Sequence, residues 1–363
     1  MIAVTKNLRF PAKFTGQIAT DGRGGTLSEL ALWQRCPEQG LPFNTMQSSQ
    51  PRLTIKDIAR LSGVGKSTVS RVLNNEGKVS QQTRERVEAV IREQGFIPSK
   101  SAQAMRGQSD KIIGIIVSRL DSPSENQAVR AILPLLYEQG YDSILMESLL
   151  NAELVTEHLR VLHQRNVDGV ILFGFTGLHS EMLLEWQSKM VVMVREYAGL
   201  SSVCFDDTGA VSLLMKRLHQ QGHQQISYIG VDEKDETTGR LRHQAYRDAC
   251  QHYNLTPHAA LGDLSYQSGF NLAAQVIKPD TSALICASDT IALGAIKYVQ
   301  QHPQTRLKIC SIGHTPLLSF LFPDTVSVDL GFSDAGQAAA QQLVGLLNGQ
   351  CEIRQLTVRC QLD

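Results

Sequence analysis

Between Leu53 and Gln94 the apolar positions recur at helical spacing in three short bursts. LTIKDIARL places apolar residues at 55, 58, 59 and 61, which predicts a first helix. Thr54 with Asp57 three positions on opens it as a capping box, and Gly63 closes it before a short turn of Val64 and Gly65. A second helix runs from Lys66 to about Asn74 with Val69, Val72 and Leu73 turned inward, leaving Lys66, Ser67, Ser70 and Arg71 outward. A third, over Gln81 to Gln94, buries Val87, Val90 and Ile91. Two short helices across a glycine-containing turn predict a helix-turn-helix, whose second helix fits a DNA major groove.

From Ile112 the pattern changes. Apolar runs rich in Val and Ile (IIGIIV, SILME, DGVILFGF, VVMVRE, SVCFDD, ISYIGV, ALICAS, KICSIG) alternate with helical or loop segments, the first two helices over Asn126 to Gln139 and Glu153 to Arg165. Continuous apolar strands separated by helices predict parallel strands buried on both faces. About ten strands over this length exceed one comfortable sheet, so two doubly wound lobes are expected. The fold class is therefore an all-α helix-turn-helix headpiece followed by an α/β effector domain of two parallel-sheet lobes. The predicted divisions are 1–50 a leader, 51–97 the headpiece, 98–110 a hinge helix and linker, and 111–363 the two-lobed domain, where Pro98 ends the third helix.

GKST at 65–68 also invites a phosphate-loop reading. That motif needs a glycine at 60, where the chain has Arg60, and a preceding buried strand, where the chain has a helical pattern. Charge favours the DNA reading over a plain three-helix domain: residues 51–107 carry 11 Lys or Arg against 5 Asp or Glu, in a chain of zero net charge. Lys56, Arg60 and Arg84 are expected at phosphates, or as solvated charges.

Composition narrows the remaining classes. The 363 residues, 42% apolar, suffice for two or three domains, and no apolar run approaches the eighteen residues of a membrane span. The seven cysteines form no C-x-x-C pair, so reduced thiols are expected rather than a zinc site or disulfides, in a cytoplasmic protein with no metal or cofactor. MIAVTKNLRFPAKF lacks the continuous apolar core of an export signal. A sugar-phosphate enzyme is the rival class. The chain shows neither a nucleophile-elbow Ser-His-Asp set nor H-E-x-x-H, nor G-x-G-x-x-G after a strand.

Polar residues directly after buried strands are the candidates for a ligand site, because ligands of such folds sit at the carboxyl ends of strands. Arg119 follows the first strand, with Asp121, Ser122, Ser124 and Glu125 leading into the next helix. A guanidinium beside a helix N-terminus suits an anion, or else makes a strand-end salt bridge. Glu125 repels an anion, so it is assigned to sugar hydroxyls or to orienting Arg119. Arg195 follows VVMV and Arg242 follows TTG in TTGRLRH; three converging arginines indicate a doubly charged group such as phosphate. Asp289 after ALICAS is an N-cap or a ligand residue. Gly174 permits close approach or a turn, and Phe332 lies on a sugar face or in the core.

LTIKDIARLSGVGKSTVSRVLNN resembles the headpiece of the lactose-repressor family of bacterial transcription factors, and the likeness continues through AMRGQSDK, RLDSPSEN, FGFTG and TTGRLRH, over roughly residues 52–350. The resemblance implies a homodimeric repressor of trehalose uptake and utilisation genes on a palindromic operator, the periplasmic-binding-protein-like type I fold, and lobe crossings near Asp207, Gly313 and Leu330. It implies DNA contacts from Lys66, Ser67, Thr68 and Arg71, and a hinge helix over Ser99 to Arg106 in which Ala102 and Met105 reach the minor groove, Met105 standing where leucine is commoner. A plain linker remains the alternative for that hinge. The implied effector is a phosphorylated disaccharide, trehalose 6-phosphate. Its contacts would be Arg119, Leu120, Asp121, Ser122, Pro123, Ser124, Glu125, Gly174, Arg195, Asp235, Glu236, Thr237, Thr238, Arg242, Thr290 and Phe332, with Asp289 accepting sugar hydroxyls. Release by the effector follows from the resemblance, corepression being the alternative. The resembling proteins begin near Met46, so a disordered leader ahead of a native start there is expected. The end, LTVRCQLD, is too short and strand-like for the family's tetramerising heptads, which favours dimers.

Overall fold

The computed structural model describes residues 53–73, 77–96, 111–303 and 307–362. The expected leader, the Met46 start and the hinge with Ala102 and Met105 lie outside the described residues. The chain separates into two compact units, Met1–Pro98 and Ser99–Asp363.

In the first unit α1 spans Ile55–Ser62, α2 Lys66–Leu73 and α3 Gln81–Glu93. The Asp57 carboxylate accepts both the backbone N–H of Thr54 (2.9 Å) and its hydroxyl (2.7 Å), so the acidic partner holds the first turn from both sides. Gly63 ends α1 at φ 68°, a left-handed conformation that strains any side chain. Ile58, Val69 and Val87, one from each helix, are fully buried together, and Ala59, Val72 and Phe96 complete the core. Phe96, just past α3, packs where no periodic signal marks it.

In the second unit β1 (Ile112–Val117), β2 (Asp142–Glu147), β3 (Gly169–Phe173), β4 (Met190–Val194) and β5 (Ser201–Phe205) alternate with α4 (Pro123–Glu138) and α5 (Ala152–Gln164). The first sheet has the order β11-β5-β4-β3-β1-β2, with β11 at Gln355–Val358. The second, β10-β9-β8-β6-β7, uses β6 (Ile226–Val231), β7 (His258–Gly262), β8 (Ala283–Cys286), β9 (Lys308–Ile312) and β10 (Val326–Val328). All their pairings are parallel, for example Ile115 with Leu145 and with Ile171. Successive side chains enter opposite cores, Ile171 and Phe173 one and Val170 and Leu172 the other. That two-sided burial is why the strands read as unbroken apolar runs.

α4 begins three residues before the expected start at Asn126, because Pro123 occupies its first turn and the Ser122 hydroxyl accepts the Glu125 N–H at 3.3 Å. The remaining helices are α6 (Asp207–Gln220), α7 (Arg242–His252), α8 (Tyr266–Val276), α9 (Asp289–Gln301), α10 (Pro316–Leu321) and α11 (Phe332–Leu347). Between β6 and α7, Glu236–Leu241 forms a π-helical turn with Asp235 as its cap.

The chain passes between lobes after β5, near Asp206, and after β10, near Asp329. The expected crossing at Gly313 is corrected: β9 and β10, on either side of Gly313, pair in the same sheet, so the chain stays in that lobe. The third passage lies past β11, near Gln361. Hydrogen bonds join all three: Asp206 N–H donates to the Val358 carbonyl at 3.2 Å, and Asp329 and Gln361 exchange two backbone bonds at 2.9 and 2.8 Å.

Candidate functional site

On the headpiece, the inward face of α2 is fixed by Val69 and Val72, and its other face carries exposed Lys66, Ser67 and Arg71 with half-buried Thr68 and Ser70 beside them. This is one polar, basic helix face of the kind that enters a major groove. Lys56 and Arg60 on α1 are also exposed, Arg60 lying 3.8 Å from Asp57.

Between the two lobes is a cavity of about 720 Å³. Its lining comes from the carboxyl ends of β1, β3, β4 and β5 of one sheet and of β6, β7, β8 and β9 of the other, the place where open parallel sheets bind ligands. Phe175, Phe205, Val231, Ile312 and Phe332 give it apolar walls, with the Phe205 and Phe332 rings edge to face at 4.8 Å. Gly174 is closely surrounded there: a Cβ would come within 3.0 Å of a Val192 methyl and 3.1 Å of the Tyr197 ring, so both would have to shift slightly to admit one.

The lining includes Arg119, Ser122, Ser124, Glu125, Gly174, Asp235, Thr237, Thr238, Arg242 and Phe332 from the sequence expectations. Leu120, Asp121, Pro123, Arg195, Glu236, Asp289 and Thr290 do not line it. Leu120 and Asp121 are exposed, the Leu120 N–H donating to Glu147 at 2.7 Å; Pro123 serves the first turn of α4, and Thr290 is half-buried on α9. Asp289 is buried and fully engaged: it accepts from the Ser311 hydroxyl (2.6 Å), the Thr315 N–H (2.6 Å) and the Ser327 hydroxyl (2.7 Å). It holds three neighbouring strand and loop ends together, while Ser288 caps α9.

The three arginines differ in what already holds them. Arg119 reaches across the cleft to the Leu264 carbonyl at 3.2 Å and lies 3.9 Å from Asp121. Arg242 is locked in a buried ion pair with Asp207 at 2.6 Å and also donates to the Ala287 carbonyl. Arg195 pairs with Glu236 of the opposite lobe. Val194 before it has φ 80°, a strained conformation for a β-branched residue, and this turn carries Arg195 off the strand toward Glu236.

Glu125 lies below the rim of the cavity, where it accepts the Ser118 N–H (2.8 Å), the Ser118 hydroxyl and the Arg119 N–H (3.4 Å). Burial pushes its carboxyl above the usual range, opposed by the Ser118 hydrogen bonds. It orients the Arg119 backbone rather than the guanidinium. Sequence reasoning missed Ser118, Asp232, Asp263, Ser265 and Ser288 in the lining. Asp232 and Ser288 stand at ends of recognised strands, a usable signal, whereas Asp263 follows β7, a strand that HAALG does not announce. With Asp207 and Arg242 cancelling, the described lining keeps four carboxylates, of Glu125, Asp232, Asp235 and Asp263, against Arg119 alone. Such a wall accepts hydrogen bonds from many hydroxyls and admits an anion only beside Arg119.

No helix among the described residues is long and apolar enough to cross a membrane, and no group of metal-holding side chains occurs among them. The model for lacI-family bacterial regulatory proteins matches residues 54–99, and that for periplasmic binding proteins and the sugar binding domain of the LacI family matches residues 109–321. The chain is 57% identical over 314 residues to the HTH-type transcriptional regulator TreR of Escherichia coli (strain K12), covering 86% of this chain and all of that one. It is 56% identical to the TreR of Salmonella typhimurium over 85% of this chain and 98% of that protein. Its fold superposes on the trehalose repressor from Escherichia coli with TM-score 0.70 at 51% identity, over 70% of this chain and 100% of that one. The lac repressor dimer bound to operator and an anti-inducer shares the fold at TM-score 0.74 and 24% identity, over 86% of this chain and 98% of that one. With a helix-turn-helix headpiece and a cleft between two parallel-sheet lobes in one chain, the protein belongs to the lacI family of bacterial regulatory proteins: it is a DNA-binding transcriptional regulator and not an enzyme.

Proposed function

We propose that this regulator represses trehalose uptake and utilisation genes as a cytoplasmic homodimer on a palindromic operator and is released by trehalose 6-phosphate. Each α2 enters a major groove, with Lys66, Ser67, Thr68 and Arg71 toward base edges, and Ala102 and Met105 contact the minor groove between half-sites. The observation that carries the reading is the cleft: one interlobe cavity combines apolar walls, hydroxyl-accepting carboxylates and Arg119 beside the first turn of α4. The names of the two TreR relatives support trehalose as the sugar.

The sugar rings sit against Phe332 and Phe205 and among Glu125, Asp235, Thr237 and Thr238, and the phosphate sits toward Arg119 and Ser124. Occupancy changes operator affinity only to the extent that the ligand prefers one lobe arrangement over another. A coupling of about 1–3 kcal/mol changes affinity roughly 5- to 150-fold. A gel shift on trehalose-operon promoter DNA, titrated with trehalose 6-phosphate, trehalose and glucose 6-phosphate, tests this. Release by trehalose 6-phosphate alone is expected. Tighter binding would make the ligand a corepressor, and indifference to all three would remove the effector reading.

A further inference from the structure

Asp289 is the first residue of α9, yet its carboxylate serves neither that helix, which Ser288 caps, nor the lining of the cavity. Its Oδ1 accepts the Ser311 and Ser327 hydroxyls, and its Oδ2 accepts the Thr315 N–H at 2.6 Å. The Ser327 oxygen also takes the His314 N–H at 2.8 Å, so the loop 313–315 is wrapped around one buried carboxylate. The wrap is tight. Gly313 has φ 144° and His314 φ 48°, and a Cβ on Gly313 would stand 3.1 Å from the carboxylate carbon.

The wrap has an inner and an outer side. Inward, Ser288 and Ile312, the residues just before Asp289 and Gly313, line the cavity. Outward, Thr315 leads into α10, of whose six residues only Leu318 is buried, while Leu317, Phe320 and Leu321 are exposed, Phe320 at 84%. A helix this short, with so little of itself in the core, takes its place from whatever holds its first turn.

We propose that Asp289 is a positioning residue that fixes α10 to the cleft wall, so that a change at the strand ends around Ser288 and Ile312 reappears at an exposed apolar helix of the second lobe. The inference rests on the effector reading above for what moves the wall, and not for the tie itself. A buried carboxylate suits this task, because its hydrogen bonds are strong where water is excluded and breaking them leaves buried donors unpaired. Asp289 thereby acts on α10 without touching the ligand.

Hydrogen exchange of the full-length protein tests the point in wild type, Asp289→Ala, Asp289→Asn and Ser327→Ala, each free and with trehalose 6-phosphate. Asp289→Ala is expected to speed exchange at Thr315 and at Ser319 to Phe322 about tenfold or more, while β8 and the rest of α9 keep wild-type protection. Asp289→Asn restores slow exchange, because its carbonyl oxygen can face the Thr315 N–H and its NH2 the two hydroxyls, which can accept. Ser327→Ala keeps the carboxylate and serves where Asp289→Ala fails to fold: a smaller rise confined to the same amides sustains the inference, and no rise ends it. In wild type the sugar phosphate alters exchange at α10, and in Asp289→Ala it does so no longer, although calorimetry gives it wild-type affinity. Exchange that rises throughout the second lobe makes Asp289 a plain core contact, and weaker sugar-phosphate binding in both Asp289 variants makes it a ligand contact; either result overturns the inference. If wild type ignores trehalose 6-phosphate, the effector reading fails on its own, and the comparison of Asp289→Ala with Asp289→Asn in the free protein decides the tie.

Discussion

Asp207 and Arg242, the first residues of two helices 35 positions apart, close an ion pair at 2.6 Å with less than a tenth of either side chain exposed. The pair holds α6 to α7 at the wall of the cavity and takes Arg242 out of competition for an anionic ligand.

Breaking that pair leaves Arg242 charged and buried. Asp207→Ala is expected to cost about 3–5 kcal/mol of unfolding free energy in urea melts, the penalty of an orphaned buried charge. A loss below about 1 kcal/mol, the scale of an exposed pair, would show that the cleft wall is wet enough to solvate Arg242.

Arg71 is exposed on α2, so its loss should touch recognition and spare folding. Arg71→Met is expected to weaken operator binding by about 1–3 kcal/mol in fluorescence anisotropy while binding to scrambled DNA falls much less. Equal losses on both DNAs would reduce Arg71 to a phosphate contact.

Glu125 gives the stability a pH dependence of known sign. Its folded-state carboxyl is raised above 4.5, so the contribution of this group is complete below that value and is lost as pH rises through the raised one. The stability of wild type relative to Glu125→Gln should therefore improve when melts move from neutral pH to about pH 5. A constant difference would place the carboxyl in the ordinary range, and one that moves the other way would place it below that range.

Gly294 on α9 packs against the backbone of α8. A Cβ there would lie 2.0 Å from the Tyr266 carbonyl oxygen and 2.7 Å from the Phe270 nitrogen, neither of which can yield as a side chain can. Gly294→Ala should cost about 1–3 kcal/mol by chemical denaturation. Gly65→Ala, whose Cβ would meet only the Ser67 hydroxyl at 3.7 Å, should stay within about 0.5 kcal/mol.

Local physics wrote the helices and the long strands into the sequence. Thr54–Asp57, Gly63 and the Val69–Val72 stripe act within a few residues, and the runs of β1, β3 and β6 are apolar because both faces are covered. β7 and β10 were not legible: His258–Gly262 is only half-buried along its length, and Val326–Val328 has three residues. Their absence from the reading also misplaced the crossing at Gly313. In the cleft, strand ends pointed to Arg119 and Gly174, and the TTGRLRH segment to Arg242, but partners did not show. Glu236 lies 41 positions from Arg195, and the donors to Asp289 lie 22 to 38 positions away, so only the folded topology reveals which charges are spoken for.

The backbone bonds that tie Asp206 to Val358 and Asp329 to Gln361 make the three interlobe passages one narrow strap. Few residues cross between the lobes and they cross side by side, which is the arrangement of a hinge: small backbone changes in those few residues suffice to alter how the lobes face each other across the gap.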